Sequence, residues 1–128
     1  MKQLLFLCAS AVASVLCGPA FAQEAQGQYV QVAEIEVDAD QLDAYRAAVK
    51  EQIETAIRVE PGVLVLYAVS EKDSPTHVRV LEIYRDTDAY KSHLESAHFK
   101  KYKTTTEKMV KSLKLIQTTP IMLGAKSR

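Results

Sequence analysis

The chain has 128 residues, 16 basic against 16 acidic side chains, no tryptophan and only two cysteines. That length supports one hydrophobic core and is too short for two domains. The balanced charge argues against nucleic acid as the main partner.

The N-terminus opens with Met1-Lys2, followed by an apolar run from Leu4 to Leu16 interrupted only by Ser10 and Ser14. Gly18-Pro19 stops it, and Ala20-Phe21-Ala22 offers the small-x-small site that a signal peptidase accepts. The pattern predicts a secretory signal peptide over residues 1–22, cleaved after Ala22, and export to a periplasm or the medium. The run is shorter than the roughly 20 apolar residues that a membrane span requires. Leu16 precedes Cys17, where a lipoprotein signal has a small residue, which argues against lipidation. Cleavage removes Lys2 and both cysteines, Cys8 and Cys17. It leaves 106 residues (128 less 22) with 15 basic and 16 acidic side chains, a net charge of −1. The exported chain thus holds no disulfide, and its stability must come from its core.

Residues 23–28 (QEAQGQ) read as a loose lead-in, 29–119 as the domain and 120–128 as a C-terminal extension. Tyr29 to Val37 alternates, with Gln31, Ala33, Ile35 and Val37 on one face, and predicts a strand. Asp38 or Asp40 can cap the next helix, in which Leu42, Tyr45, Val49, Ile53 and Ala56 recur at helical spacing. That helix ends near Val59, punctuated by Pro61-Gly62. Val63 to Ser70 is apolar on both faces: Val63, Val65, Tyr67 and Val69 oppose Leu64, Leu66 and Ala68. With Thr76 to Arg85 it predicts a hairpin across Glu71–Pro75. A short helix is expected over Asp86–Leu94. Ser96 caps another, from Ala97 to about Lys111, with Phe99, Tyr102, Thr106, Met109, Val110 and Leu113 on one face. Leu113 to Thr118 reads as the last strand.

The order β-α-β-β-α-β predicts an α+β, ferredoxin-like antiparallel sheet with helices on one face. The other sheet face is left bare, and an apolar face of this length needs a cover. A second copy is the simplest one, which predicts a two-fold homodimer of the dimeric α+β barrel type. Residues 100–128 carry eight Lys/Arg and one acid, Glu107. They read either as a solvated helix face or as a surface for an anionic partner.

The stretch 82–102 concentrates the chemistry: Glu82-x-Tyr84-Arg85-Asp86, Ala89-Tyr90-x-x-His93-Leu94 and Ala97-His98-Phe99-x-x-Tyr102. His93 shares a helical face with Ala89, Tyr90, Leu94 and Ala97, and is either a core histidine hydrogen-bonded to a neighbour or a site residue. His98 falls in the first turn of a helix, which disfavours the imidazolium. A neutral imidazole beside an apolar pocket can take a proton from a phenol or enol, or orient it. Glu82 and Tyr84 should share a strand face, Glu82 serving as a histidine's partner or as a sheet-edge charge. Tyr45, Tyr67, Tyr90 and Tyr102 read as core or pocket wall. No H-x-x-x-H or H-E-x-x-H spacing supports a metal. No phosphate loop, Rossmann glycine pattern or serine-nucleophile motif is present.

These residues resemble the antibiotic biosynthesis monooxygenase (ABM) domain, in its quinol monooxygenase-like branch. The resemblance covers about residues 28–116; outside 82–102 it is one of pattern, including Ala33-Glu34-Ile35 and Pro61-Gly62. It implies a ferredoxin-like dimer with a pocket between sheet and helices, and oxygenation of quinols, anthrones or enols by molecular oxygen without metal, flavin or other cofactor. Carried over, it places His93, His98, Glu82 and Tyr84 on the family's motif positions, and the expected site has His98 and His93 as catalytic residues with Glu82, Tyr84, Tyr90, Phe99 and Tyr102 binding substrate. Ala97 stands where relatives often have Pro, and Tyr84 where many have Trp. The haem-degrading branch uses an Asn, Trp and His set, and this chain has no Asn. The expected function is cofactor-independent monooxygenation of a small aromatic or enolic compound. The alternatives are a non-catalytic ligand-binding module and an oxygen-independent isomerase of an enolisable metabolite.

Overall fold

The structure, a computed structural model, describes residues 27–127; the expected leader lies outside them. Strand β1 (Tyr29–Val37) leads through a 3-10 turn (Ala39–Gln41) into α1 (Leu42–Val59). The hairpin β2 (Val63–Ser70) and β3 (His77–Tyr84) follows, then α2 (Thr87–Glu95), α3 (Ala97–Thr106) and β4 (Val110–Thr118). The strands form one sheet in the order β2-β3-β1-β4, each neighbouring pair antiparallel. The three helices lie on one face of it. This is the expected ferredoxin-like arrangement, with the second crossover split into two helices.

Local chemistry sets the boundaries. The Asp38 side chain accepts from the Asp40 N–H (3.0 Å) and starts the 3-10 turn. Asp86 accepts from the Ala89 N–H (2.7 Å) at the head of α2. Ser96 both stops α2, donating to the His93 carbonyl (2.7 Å), and opens α3, accepting from the Phe99 N–H (3.3 Å). These bonds occupy groups that helix ends leave unpaired.

Core packing follows the alternation of β1. Ala33, Ile35 and Val37 pack with Tyr45, Val78 and Val80 under α1, bordered by Leu42, Val49, Tyr102 and Met109. A second cluster joins Ala56, Val63, Leu66, Tyr84 and Ala89. Val63 therefore belongs with Leu66, not with Val65, Tyr67 and Val69. The register slips between Val63 and Val65, leaving Leu64 as an extra residue, and such a bulge reverses the alternation. Gly62, where β2 begins, is buried against α2: a Cβ there would lie 2.5 Å from that of Ala89.

Helix α3 stops at Thr106, five residues before the expected end. Val110 pairs with Val37 in the sheet instead, and the Asp38 N–H bonds to the Met109 carbonyl at 2.8 Å. The strand edge of β1 claims a segment whose apolar spacing also fits a helix, and the run Thr104-Thr105-Thr106 weakens the competing helix. On the sheet face away from the helices, the register aligns Val65 with Ile83 and Val30, Tyr67 with Leu81, Val32 and Ile116, and Val69 with Arg79, Glu34 and Lys114. Tyr67 and Val69 are each 60% exposed there and line an open groove that also includes Val49 and Ile53 of α1, so Tyr67 is pocket wall rather than core of the single chain.

Candidate functional site

Three titratable side chains meet where α1 ends, α2 ends and α3 begins. Glu60 follows the last residue of α1, His93 lies in the last turn of α2 and His98 in the first turn of α3. One carboxylate oxygen, Glu60 Oε2, lies 2.7 Å from His93 Nδ1 and 2.7 Å from His98 Nε2. The other nitrogen of His93, Nε2, lies 3.0 Å from the Gln52 amide nitrogen. That amide donates, so His93 Nε2 accepts and Nδ1 carries the proton given to Glu60. His93 is 1% exposed. Burial pushes its pKa below the usual histidine value, against the pull of Glu60, and leaves the ring neutral at neutral pH.

A cavity of about 90 Å³ lies between the sheet and the helices. Its walls include Ala33, Ile35 and Leu66 from the core, Tyr90 and Leu94 from α2, Phe99 and Tyr102 from α3, and Leu113 and Leu115 from β4. The helices do not extend over β4, so Leu115 is 51% exposed and that edge forms the mouth, with Lys103 beside it. Glu82 is the carboxylate on this wall. Gln31 donates to it, and Tyr29 donates to the Gln31 side-chain carbonyl at 3.2 Å. Burial raises the Glu82 pKa above the ordinary carboxylate value, with the Gln31 bond opposing.

Of the residues singled out in the sequence, Glu82, Tyr90, Phe99 and Tyr102 come together on the cavity wall. His93 and His98 meet each other at Glu60 instead. Gln52, which lines the cavity and binds His93, connects the two groups. His98 faces a separate outer groove with Ala48, Glu51 and Thr105. Tyr84 is fully buried; its ring packs edge-on to Tyr90 (5.2 Å between centroids) and against His93 (5.4 Å). Among the described residues its hydroxyl has no hydrogen-bond partner. Glu82 partners Gln31, and the carboxylate that serves the histidines is Glu60. Neither Glu60 nor Gln52 was legible beforehand. Gln52 stands seven residues after Tyr45 and four before Ala56, on the buried stripe of α1, and that spacing was the available signal.

The antibiotic biosynthesis monooxygenase family model matches residues 28–105, more than half of the chain. The chain belongs to this family. Its fold matches a structure from Bacteroides thetaiotaomicron described as a "putative antibiotic biosynthesis monooxygenase", with 51% identity over 81% of this chain and 99% of that one (TM-score 0.78). A "putative monooxygenase" from Lactobacillus acidophilus is 26% identical over 72% of this chain and 44% of that longer one (TM-score 0.71). A family structure from Nitrosomonas europaea shares the fold at 24% identity, over 75% and 92% of the two chains (TM-score 0.71). Comparison with curated proteins gives no match. In this antibiotic biosynthesis monooxygenase domain the whole stretch 82–102 falls inside the matched residues. Strand β4, which supplies the cavity mouth, lies beyond them.

Proposed function

We propose that this protein is a cofactor-independent monooxygenase of a small quinol-like, anthrone-like or enolic compound, and that Glu82 receives the substrate's proton. The observation that carries this reading is a single half-buried carboxyl, raised in pKa and fixed by Gln31, on a wall otherwise rich in aromatic and aliphatic side chains. A raised pKa brings the base closer to that of a phenol, about 10, and eases the transfer. The resulting quinolate is electron-rich enough to reduce dioxygen directly. One oxygen atom enters the ring carbon and the other leaves as water, so a hydroquinone becomes a hydroxyquinone and all four electrons come from the substrate. The protein's part is to bind, deprotonate and shield. Tyr90, Phe99 and Tyr102 hold the ring, while Tyr84 and His93 back the wall and Gln52 links it to His98 through Glu60. The volume of about 90 Å³ favours a single-ring quinol over a tricyclic anthrone.

The reading includes export after cleavage at Ala22 and a homodimer closed through the Val65, Tyr67 and Val69 face. No helix among the described residues is long and apolar enough to cross a membrane.

Oxygen uptake by metal-free protein with a panel of hydroquinones and anthrones tests the reading. Uptake above autoxidation, abolished in Glu82→Gln and reduced less in His98→Ala, is expected. Uptake no faster than buffer overturns it. A quinol that then raises the melting temperature without turnover points to a binding module, and anaerobic conversion of an enolisable compound to an isomerase.

A further inference from the structure

We propose that Glu60, His93 and His98 form a binding site for one divalent transition-metal ion, a two-histidine, one-carboxylate set at the joint of α1, α2 and α3. The site is separate from the cavity, since none of the three residues lines it, and the proposal does not depend on the oxygenation reading.

The geometry is near that of a metal centre. Glu60 Oε2, His93 Nδ1 and His98 Nε2 all lie within 4.8 Å of one another. Around a tetrahedral zinc ion with bonds of about 2.1 Å, ligand atoms lie about 3.4 Å apart. For an ion to replace the two shared protons, the two 2.7 Å contacts at Glu60 open by a fraction of an ångström and the two histidine nitrogens, within 4.8 Å of each other, settle at a like separation. The donors are imidazole and carboxylate, which suit zinc, iron, cobalt or nickel rather than calcium or magnesium.

The surroundings complete the case. His93 Nε2 already has a partner in Gln52, the kind of outer hydrogen bond that fixes a ligating imidazole. With an ion on Nδ1 the ring proton moves to Nε2, and the Gln52 amide turns over to accept it through its carbonyl oxygen. The C-terminal ends of α1 and α2 both point their partial negative charge toward the joint, against one N-terminus, that of α3. His93 is sealed, but the Glu60 and His98 side chains are 14% and 15% exposed, which gives an ion a way in and leaves room for water as a further ligand. Sequence spacing hid the site, because its ligands stand 33 and 38 positions apart across Glu60, and the two histidines sit on different helices.

The test uses tag-free protein stripped with a chelator and titrated calorimetrically with Zn²⁺ and with Co²⁺. One ion per chain with a micromolar or tighter Kd, visible absorption bands of nitrogen–oxygen coordinated Co²⁺, and a melting temperature that rises with Zn²⁺ are expected. Glu60→Gln and His98→Ala should each weaken binding at least tenfold. His77→Ala, which removes an exposed histidine beside Glu71, should leave it unchanged. Absence of binding to the wild-type protein overturns the proposal. So does affinity that survives both site substitutions, or that is lost with His77. Should Glu60→Gln fail to fold, the half-buried His98→Gln and the wild-type Co²⁺ spectrum decide between the same outcomes.

Discussion

A carboxyl group partly taken out of water, without a cation paired to it, holds its proton more tightly than it does in the unfolded chain. Glu82 is in that position, with its folded pKa above the unfolded value of 4.5. Stability contributed by the protonated form is therefore complete at low pH. It falls as pH rises from the unfolded pKa through the folded one, and then levels. Glu82→Gln removes the ionisable group and keeps an acceptor for Gln31. Its melting temperature should exceed that of the wild type at about pH 7, and the two curves should converge near about pH 4. If Glu82 is the base, kcat/KM for a quinol rises with pH along the same limb. Tyr84 poses a simpler question of solvation. Its buried hydroxyl has no partner among the described residues. Tyr84→Phe deletes that group while keeping the ring against Tyr90 and His93. The unfolding free energy should stay the same or rise by about 1 kcal/mol in denaturant titrations.

At the scale of elements, the site depends on how closely α2 approaches the start of β2. Gly62 permits that approach, since a Cβ would lie 2.5 Å from the Ala89 Cβ, and its carbonyl accepts from the Arg85 N–H at 2.8 Å. Ala89 belongs to α2 and Gly62 is tied down by that bond to Arg85, so neither can swing aside. Gly62→Ala should therefore cost about 1–3 kcal/mol of stability, the usual range for overpacking, measured by urea unfolding. Pushing α2 outward would also move His93 from Glu60, so the substitution should weaken the proposed ion site more than its distance suggests. Ser96 serves two helices at once, and its double role holds His93 and His98 at a fixed spacing across the break.

For the whole molecule, the sheet has one face under helices and one that is apolar and partly bare. Val65 and Tyr67 share that face with Val32, Leu81 and Ile116, while Val69 borders the charged end formed by Glu34, Glu36, Arg79 and Lys114. Apolar strands bordered by charges suit a self-complementary contact. Replacing Tyr67 and Val69 together by Glu should convert the proposed dimer to a folded monomer, read by sedimentation velocity with unchanged circular dichroism. A wild-type protein that already sediments as a monomer would remove the basis for the proposed dimer. The lysines of α3 and β4 are exposed, and Lys100 and Lys101 pair with Glu95 and Glu51, as a solvated face requires.

Alternation in β1, helical spacing in α1, the turn at Glu71–Pro75 and the cap Ser96 are local properties, and the sequence by itself determined the fold through them. It also determined the stretch 82–102 as the chemical part of the chain, because histidines and tyrosines are sparse elsewhere. Tertiary structure decided what local pattern cannot carry. A bulge at Leu64 turned Val63 to the helices, and pairing with Val37 drew Val110 out of a helix. Glu60, an unremarked residue ahead of Pro61, became the partner of two histidines 33 and 38 positions away. Such contacts arise where three element ends converge, and no periodicity along one element encodes the position of another's end.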